Sequence, residues 1–262
     1  MGIGTKFEVI VLEKMNAISL QNKRIIITGA GSGIGRETAI VASRQGAKVI
    51  MLDLSKEGLK KTFSSLEGNG HVSHVIDLTD INSIAGLIKN MVAEVGIVDG
   101  LVHCAGISSR KPLNVLTKDG FSKVMDINFY SFVELVRQVC KKKHFSEGGS
   151  VVVMSSISSI KGYKAKTEYC VSKAAVDSFV RCMALELADR KIRVNSVMAA
   201  EVLTPLALKA REMNQAVGAS DFNAPLGPSE PYEIANTIAF LLSDATKTIT
   251  GTSILIDGGA CI

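Results

Sequence analysis

Residues 28–35 read Thr28-Gly29-Ala30-Gly31-Ser32-Gly33-Ile34-Gly35, a glycine-rich turn that follows an apolar run at 24–28 and opens a helical pattern at 33–45. Glycines at such a junction permit a tight turn and let a pyrophosphate approach the backbone. The helix start behind them offers free N–H groups and the positive end of a dipole, which together favour an anion. An ordinary glycine-rich turn is the alternative. Asp53 strengthens the nucleotide reading. It closes the next apolar run, 48–53, about 20 residues beyond the glycines, where a carboxylate can accept both ribose hydroxyls of NAD and repel a 2′-phosphate. Ser32, within the loop, brings no positive charge for that phosphate. A turn or cap role for Asp53 stays open. So does the choice for Asp77, which either reaches the adenine edge or caps the helix that follows.

Outward from this turn, short β-branched runs alternate with longer helical patterns. The runs are 24–28, 48–53, 72–77, 100–104, 150–155, 193–198 and 253–257, and the helical stretches lie near 33–45, 56–66, 80–95, 119–145, 165–190 and 230–243. Strand and helix in this order predict an α/β fold with one parallel, doubly wound sheet of seven strands, ordered 3-2-1-4-5-6-7, and helices on both faces. Residues 1–19 precede the first strand by more than the fold needs and read as an N-terminal extension; 20–262 form the domain. A second irregular stretch, about 199–229, follows the sixth strand and holds Pro205, Pro225 and Pro228. A long insertion at the carboxyl end of a strand is where an α/β enzyme builds a substrate lid.

Composition narrows the class. Apolar residues make up 47%, aromatics only 5%, and Trp is absent, so the core must be chiefly aliphatic. The net charge of +5 is mild and its Lys and Arg are scattered, which argues against a nucleic-acid partner. Cys104, Cys140, Cys170, Cys182 and Cys261 show no C-x-x-C pair and no zinc spacing, so no metal is expected, and an odd number points to reduced thiols and a cytoplasmic protein. No apolar run approaches the ~18 residues of a membrane span.

Tyr169 and Lys173 share a helix face at i, i+4. Such pairs are common; the position gives this one meaning. Ser155 and Ser156 end the preceding strand, at the sheet edge where a nicotinamide would lie. Reducing a ketone requires a proton for the developing alkoxide. A free Tyr, with a pKa of about 10, is a poor proton donor–acceptor near neutrality, and a nearby ammonium favours its phenolate. Ser156 can donate a hydrogen bond to a substrate oxygen. Asn128 sits in an apolar helical stretch, where an amide needs a partner if buried.

These motifs, over roughly 20–262, resemble the classical short-chain dehydrogenase/reductase family. Thr28-Gly29-x-x-x-Gly33-Ile34-Gly35 is similar to its cofactor motif and Tyr169-Cys170-Val171-Ser172-Lys173 to its Y-x-x-x-K. Asn128, Ser156, Tyr169 and Lys173 fall on the family's catalytic positions. The resemblance implies a Rossmann-type fold and hydride transfer between NAD(H) and a hydroxyl or keto group of a small molecule. By the same resemblance Tyr169 is the acid/base, Lys173 binds the ribose and lowers the Tyr pKa, Ser156 orients the carbonyl, and Asn128 holds a water in a proton relay. The implied cofactor contacts are Gly29, Ser32, Gly33, Ile34, Gly35, Asp53, Asp77, Leu78, Ala105, Gly106, Tyr169, Lys173 and Thr204, with Asp77 at the adenine and Thr204 at the carboxamide. Within the family the overall look is nearest to 3-oxoacyl-(acyl carrier protein) reductases, although Asp53 fits poorly with the NADP preference common among them.

Two departures stand out. The family's N-N-A-G is His103-Cys104-Ala105-Gly106 here; His103 and Cys104 read as core or strand-end residues. Met198-Ala199-Ala200 replaces the usual P-G turn after the sixth strand, beside the nicotinamide. The family pairs its long helices into dimers and tetramers, and the apolar residues Phe129, Phe132, Val133, Val136, Phe179, Met183 and Leu187 at 119–145 and 165–190 predict a homotetramer. Leu113, Leu116, Leu203, Leu206 and Leu208 suggest a partly apolar pocket, and Ser108, Ser109, Arg110 and Lys111 a polar or anionic end. A silent nucleotide-binding scaffold or sensor with the same fold is the competing reading, and the intact Ser156, Tyr169 and Lys173 set weighs against it.

Overall fold

The computed structural model describes residues 18–208, 211 and 223–262. Its centre is one sheet of seven parallel strands in the order β3-β2-β1-β4-β5-β6-β7. The strands are β1 (Arg24–Thr28), β2 (Lys48–Asp53), β3 (Val72–Val75), β4 (Val98–His103), β5 (Phe145–Ser156), β6 (Arg193–Ala199) and β7 (Ser253–Ile256). The helices are α1 (Gly33–Arg44), α2 (Lys56–Phe63), α3 (Ile81–Val95), α4 (Lys118–Met125), α5 (Ser131–Val139), α6 (Thr167–Glu186) and α7 (Pro231–Leu242).

Successive strand residues serve opposite faces, so each strand feeds two cores. Ile26 and Ile50 join a layer with Ile84, Ile88 and Met91 of α3, Leu135 of α5 and Val176 and Val180 of α6. Their neighbours Ile25, Ile27, Val49 and Met51 join the other, with Ala39 and Ala42 of α1 and Ile234 and Ile238 of α7. Burying each such aliphatic side chain is worth about 1.5–3 kcal/mol, which is why an unbroken apolar run suits a parallel strand covered on both sides. Both cores are chiefly aliphatic; Phe132 and Phe145 are fully buried exceptions.

The chain departs from its sequence reading in three places. The helix expected over 119–145 is divided: α4 ends at Met125, a π-helical turn spans Asp126–Tyr130, and α5 follows. The extra residue in that turn accompanies a buried amide. Asn128 is fully buried and uses its side chain on three partners outside its helix, so the π turn is a functional bulge rather than a flaw. Second, β5 starts at Phe145, which the sequence reading places at the end of a helix, because Phe145 pairs with Val98 ahead of the bulge between Val98 and Gly100; Gly148 and Gly149 interrupt the strand pattern before Ser150. Third, regular pairing of the third strand ends at Val75.

The long segment after β6 closes at its base. Val202 and Ser229 form a parallel bridge, Leu203 N–H donates to Ser229 (2.9 Å) and Ser229 N–H to Glu201 (3.0 Å). The middle of the expected lid lies outside the described residues. So does the expected N-terminal extension, apart from Ile18 and Ser19.

Candidate active site

The glycine turn is shaped by close approaches. Gly29 has φ +66°, and a Cβ there would stand 2.8 Å from Ala105 N. A Cβ on Gly35 would meet the Gly29 carbonyl oxygen at 2.2 Å. Neither position admits a side chain without moving backbone, so α1 starts hard against the turn. Thr28 at the end of β1 accepts a hydrogen bond from Ala105 N–H (3.2 Å) and shares another with His103 Nδ1 (2.9 Å), tying the first turn to the end of β4. Ser32 caps α1 with its hydroxyl exposed and outside any capping bond. On the far side of the turn, Thr204 packs near Gly33, and its hydroxyl accepts from Ala207 N–H (3.2 Å).

Asp53 closes β2 against this loop. Its Oδ2 accepts Gly31 N–H at 2.8 Å and its Oδ1 accepts Ser55 N–H at 2.7 Å. Each carboxylate oxygen has a second lone-pair site, so the group is aimed and still able to accept. Arg36 turns beneath the loop to the Gly31 carbonyl and Thr62 Oγ1. Asp77 folds onto Thr79, accepting its N–H (2.9 Å) and Oγ1–H (2.7 Å), and these bonds hold its carboxyl below the usual range. Asp77 therefore makes a turn with Thr79 rather than capping the helix, whose N-cap is Asp80. The Leu78 side chain belongs to the core with Ile76 and Ile84, so backbone is what it offers a ligand.

The sheet's carboxyl edge gathers the other candidates. Ser156 ends β5 and pairs with Ala199 at the end of β6. Its hydroxyl accepts Ser158 N–H at 3.1 Å and stands near enough to Tyr169 to influence its phenol. Apolar surroundings push the Tyr169 phenol up, and the Ser156 bond opposes that rise. Lys173 is one helical turn on, its ammonium nitrogen 5.7 Å from the Tyr169 ring centre and donating to the Met154 carbonyl at 2.9 Å. Asn128 meets them through Ser172: its Nδ2 donates to Ser172 Oγ (2.9 Å) and to the Ile107 carbonyl (3.0 Å), while its Oδ1 accepts Ile107 N–H (2.8 Å). A Cβ on Gly106 would lie 3.2 Å from Asn128 Oδ1 and 3.7 Å from Lys173 Nζ, so the bare backbone there borders both. The structure thus brings Asn128, Ser156, Tyr169 and Lys173 together beside Ala105 and Gly106, and leaves Asp53 and Asp77 at the other end of the sheet edge.

His103 and Cys104 are structural, as their sequence context suggests. His103 is buried, stacks on Phe132 at 5.3 Å between ring centres, and is pushed to a pKa of about 3 by burial and then by the Lys173 charge. Cys104 is pushed up to about 12 by burial, an inert thiol. Two expectations about surroundings change. The cations of 108–111 turn onto the chain: Lys111 pairs with buried Glu168 at 3.4 Å, and Arg110 donates to the Lys164 carbonyl at 3.3 Å. The apolar faces expected to exceed one sheet contact are largely spent within one chain, because Phe132 and Val136 are core and Phe129, Phe179, Met183 and Leu187 pack against it.

A family model described as enoyl-(acyl carrier protein) reductase matches residues 29–261. The 3-oxoacyl-(acyl-carrier-protein) reductase FabG of Thermotoga maritima is 35% identical over 246 residues, covering 93% of this chain and 99% of that protein. The chain belongs to the classical short-chain dehydrogenase/reductase family. Another short-chain dehydrogenase/reductase, the NAD-dependent glycerol dehydrogenase of Listeria innocua, is 29% identical over 250 residues, covering 93% of this chain and 96% of that one. A dehydrogenase/reductase structure from Sinorhizobium meliloti superposes with a TM-score of 0.85 at 29% identity, covering 96% of this chain and all of that one. Membership makes this short-chain dehydrogenase/reductase an oxidoreductase that uses a nicotinamide dinucleotide. Among the described residues no helix is long and apolar enough to cross a membrane.

The sequence reading passed over two acidic residues of α6. Asp177 is buried, one turn beyond Lys173 on the same face, and the i, i+4, i+8 spacing from Tyr169 could have exposed it. Glu168, beside Tyr169, looked like a surface residue, and sequence alone carried no hint of its burial.

Proposed function

We propose that this protein is an NAD(H)-dependent dehydrogenase that interconverts a hydroxyl and a keto group on a small, uncharged molecule. The observation that carries the proposal is the convergence of Ser156, Tyr169 and Lys173 beside the bare backbone of Gly106. The glycine turn suits a dinucleotide, since the lack of side chains at Gly29 and Gly35 lets the turn pack directly on Ala105 and on the start of α1, leaving backbone at the helix N-terminus to meet a pyrophosphate. Gly29, Ser32, Gly33, Ile34 and Gly35 would take the pyrophosphate, Asp53 the ribose diol, Asp77 and backbone at Leu78 the adenine side, and Ala105, Gly106, Lys173 and Thr204 the nicotinamide half. When bound, NAD(H) supplies or accepts the hydride.

The chain's own residues handle the proton. Ser156 holds the substrate oxygen by donating to it. Tyr169 exchanges a proton with that oxygen, and the Lys173 ammonium favours the phenolate in the return direction. Asn128 keeps the loop at Ile107 against α6 through Ser172. The turn of Arg110 and Lys111 onto the protein supports an uncharged substrate. A panel of cyclic, aryl and polyhydroxy ketones tested for NADH oxidation checks the reading. Turnover of at least one ketone is expected, and NADH binding without turnover of any would favour the silent scaffold.

The same proposal includes a cytoplasmic homotetramer, with 20–262 as the folded unit. Exposed Tyr130, Val171 and Leu185 leave apolar surface on the π turn and α6 for a second copy. Light scattering at micromolar protein is expected to give four times the 27.9 kDa chain mass; a monomer would contradict the assembly.

A further inference from the structure

Lys173 presents an electrostatic problem that the four site residues leave unsolved. It is 5% exposed, and its ammonium donates to a neutral acceptor, the Met154 carbonyl. A buried charge is costly unless it is paired. The groups facing it come from three elements. At the end of β4, His103 is neutral and Cys104 is a protonated thiol. On its own helix, Tyr169 contributes a ring 5.7 Å away. β5 contributes the Met154 carbonyl. Among the described residues that act on Lys173, the carboxylate is Asp177.

Asp177 is placed for that role by the sheet. It is 5% exposed and one turn beyond Lys173, so the two side chains lie on one helix face. Its Oδ2 accepts Ser155 Oγ–H at 2.8 Å and its Oδ1 accepts Ser196 Oγ–H at 2.7 Å. Lys173 and Asp177 therefore rest on consecutive residues of β5, Met154 and Ser155, and Asp177 also reaches β6. Both of its oxygens are thus oriented by hydroxyl donors from the sheet. Burial pushes Lys173 down to about 8, and the Asp177 charge is the first influence opposing it.

We propose that Asp177 is the counter-anion of Lys173, a positioning residue that keeps the ammonium charged and fixed beneath the cofactor's ribose. The ribose role rests on the function proposed above; the charge pairing does not. If Asp177 were lost, Lys173 would shed its proton at lower pH, and affinity for NADH would fall with it.

The test is a carbon-13 NMR titration of the Lys173 side chain in the cofactor-free protein, in the wild type and in Asp177→Asn. The midpoint is expected to fall by about one unit or more in the variant, the size of shift that loss of a neighbouring opposite charge produces. Asp177→Glu should restore it. In the same samples the pH at which NADH affinity drops should move down with the midpoint. If Asp177→Asn does not fold, Asp177→Ser decides, and the Lys173 midpoint should fall likewise. An unchanged midpoint in either folded variant overturns the pairing. A shifted midpoint in a protein that binds no NADH would instead overturn the dehydrogenase reading and leave the pairing intact.

Discussion

Tyr169→Phe is expected to lower kcat/KM for the protein's ketone substrate by about 10²–10⁴-fold, the range that a positioned acid–base group contributes, while NADH affinity stays nearly unchanged. The Tyr169 phenol is the acid–base group of the proposed mechanism, and Ser156 beside it is assigned to holding the substrate oxygen. Phe keeps the ring that α6 packs, so the fold should survive. The sign with pH follows from the surroundings: burial raises the Tyr169 pKa while Ser156 opposes the rise. Reduction, which needs the neutral phenol, should therefore fall as pH rises, and alcohol oxidation, which needs the phenolate, should rise. Steady-state rates in both directions check this; a Phe variant within tenfold of wild type would remove Tyr169 from the chemistry.

Asp53→Ala is expected to reverse or erase a preference for NADH over NADPH. Both carboxylate oxygens are aimed by Gly31 and Ser55 N–H groups, and each keeps room for a ribose hydroxyl. In NADPH a phosphate replaces the 2′-hydroxyl, so a hydrogen bond becomes a repulsion between anions. A charge-assisted bond is worth about 1.5–3 kcal/mol, or about 10- to 150-fold in the ratio of affinities. Arg36 is engaged by Gly31 and Thr62 beneath the loop and does not offset this. Because Ala also removes the bond that seats Gly31, Asp53→Asn serves as the control that keeps a side-chain acceptor without the charge. Calorimetric titration of both cofactors into the three proteins, at one salt concentration, reads the result. Wild-type protein that binds NADPH at least as tightly as NADH would defeat the assignment, as would an Ala variant with an unchanged ratio.

Much of this architecture was legible because local chemistry and fold agree. The glycines at 29–35 and Asp53 at the end of β2 follow from what a tight strand-to-helix turn and a ribose diol require, and the alternating runs carried the sheet order. What was hidden depended on distant partners. The π turn at Asp126–Tyr130 looks like ordinary helix in sequence, because its cause is an amide that must reach Ile107 and Ser172. β5 looked shorter because Gly148 and Gly149 break the pattern although Phe145 pairs with Val98. Lys111 looked like a ligand for an anion until Glu168 was found buried beside it. Asp177 looked like a charge on a helix, and its meaning came from Ser155 and Ser196 on two strands.

The central claim is that hydride passes between the nicotinamide and a carbonyl carbon under the control of Tyr169. The most direct measurement is deuterium transfer, read by mass spectrometry, from NADH labelled at the reactive C4 position into the ketone panel, with wild type and Tyr169→Phe side by side. We expect the label on the carbinol carbon of at least one product with wild type, and its accumulation slowed about 100-fold or more in the variant. Label that reaches no product although NADH binds, or that reaches product equally fast in both proteins, would contradict the account.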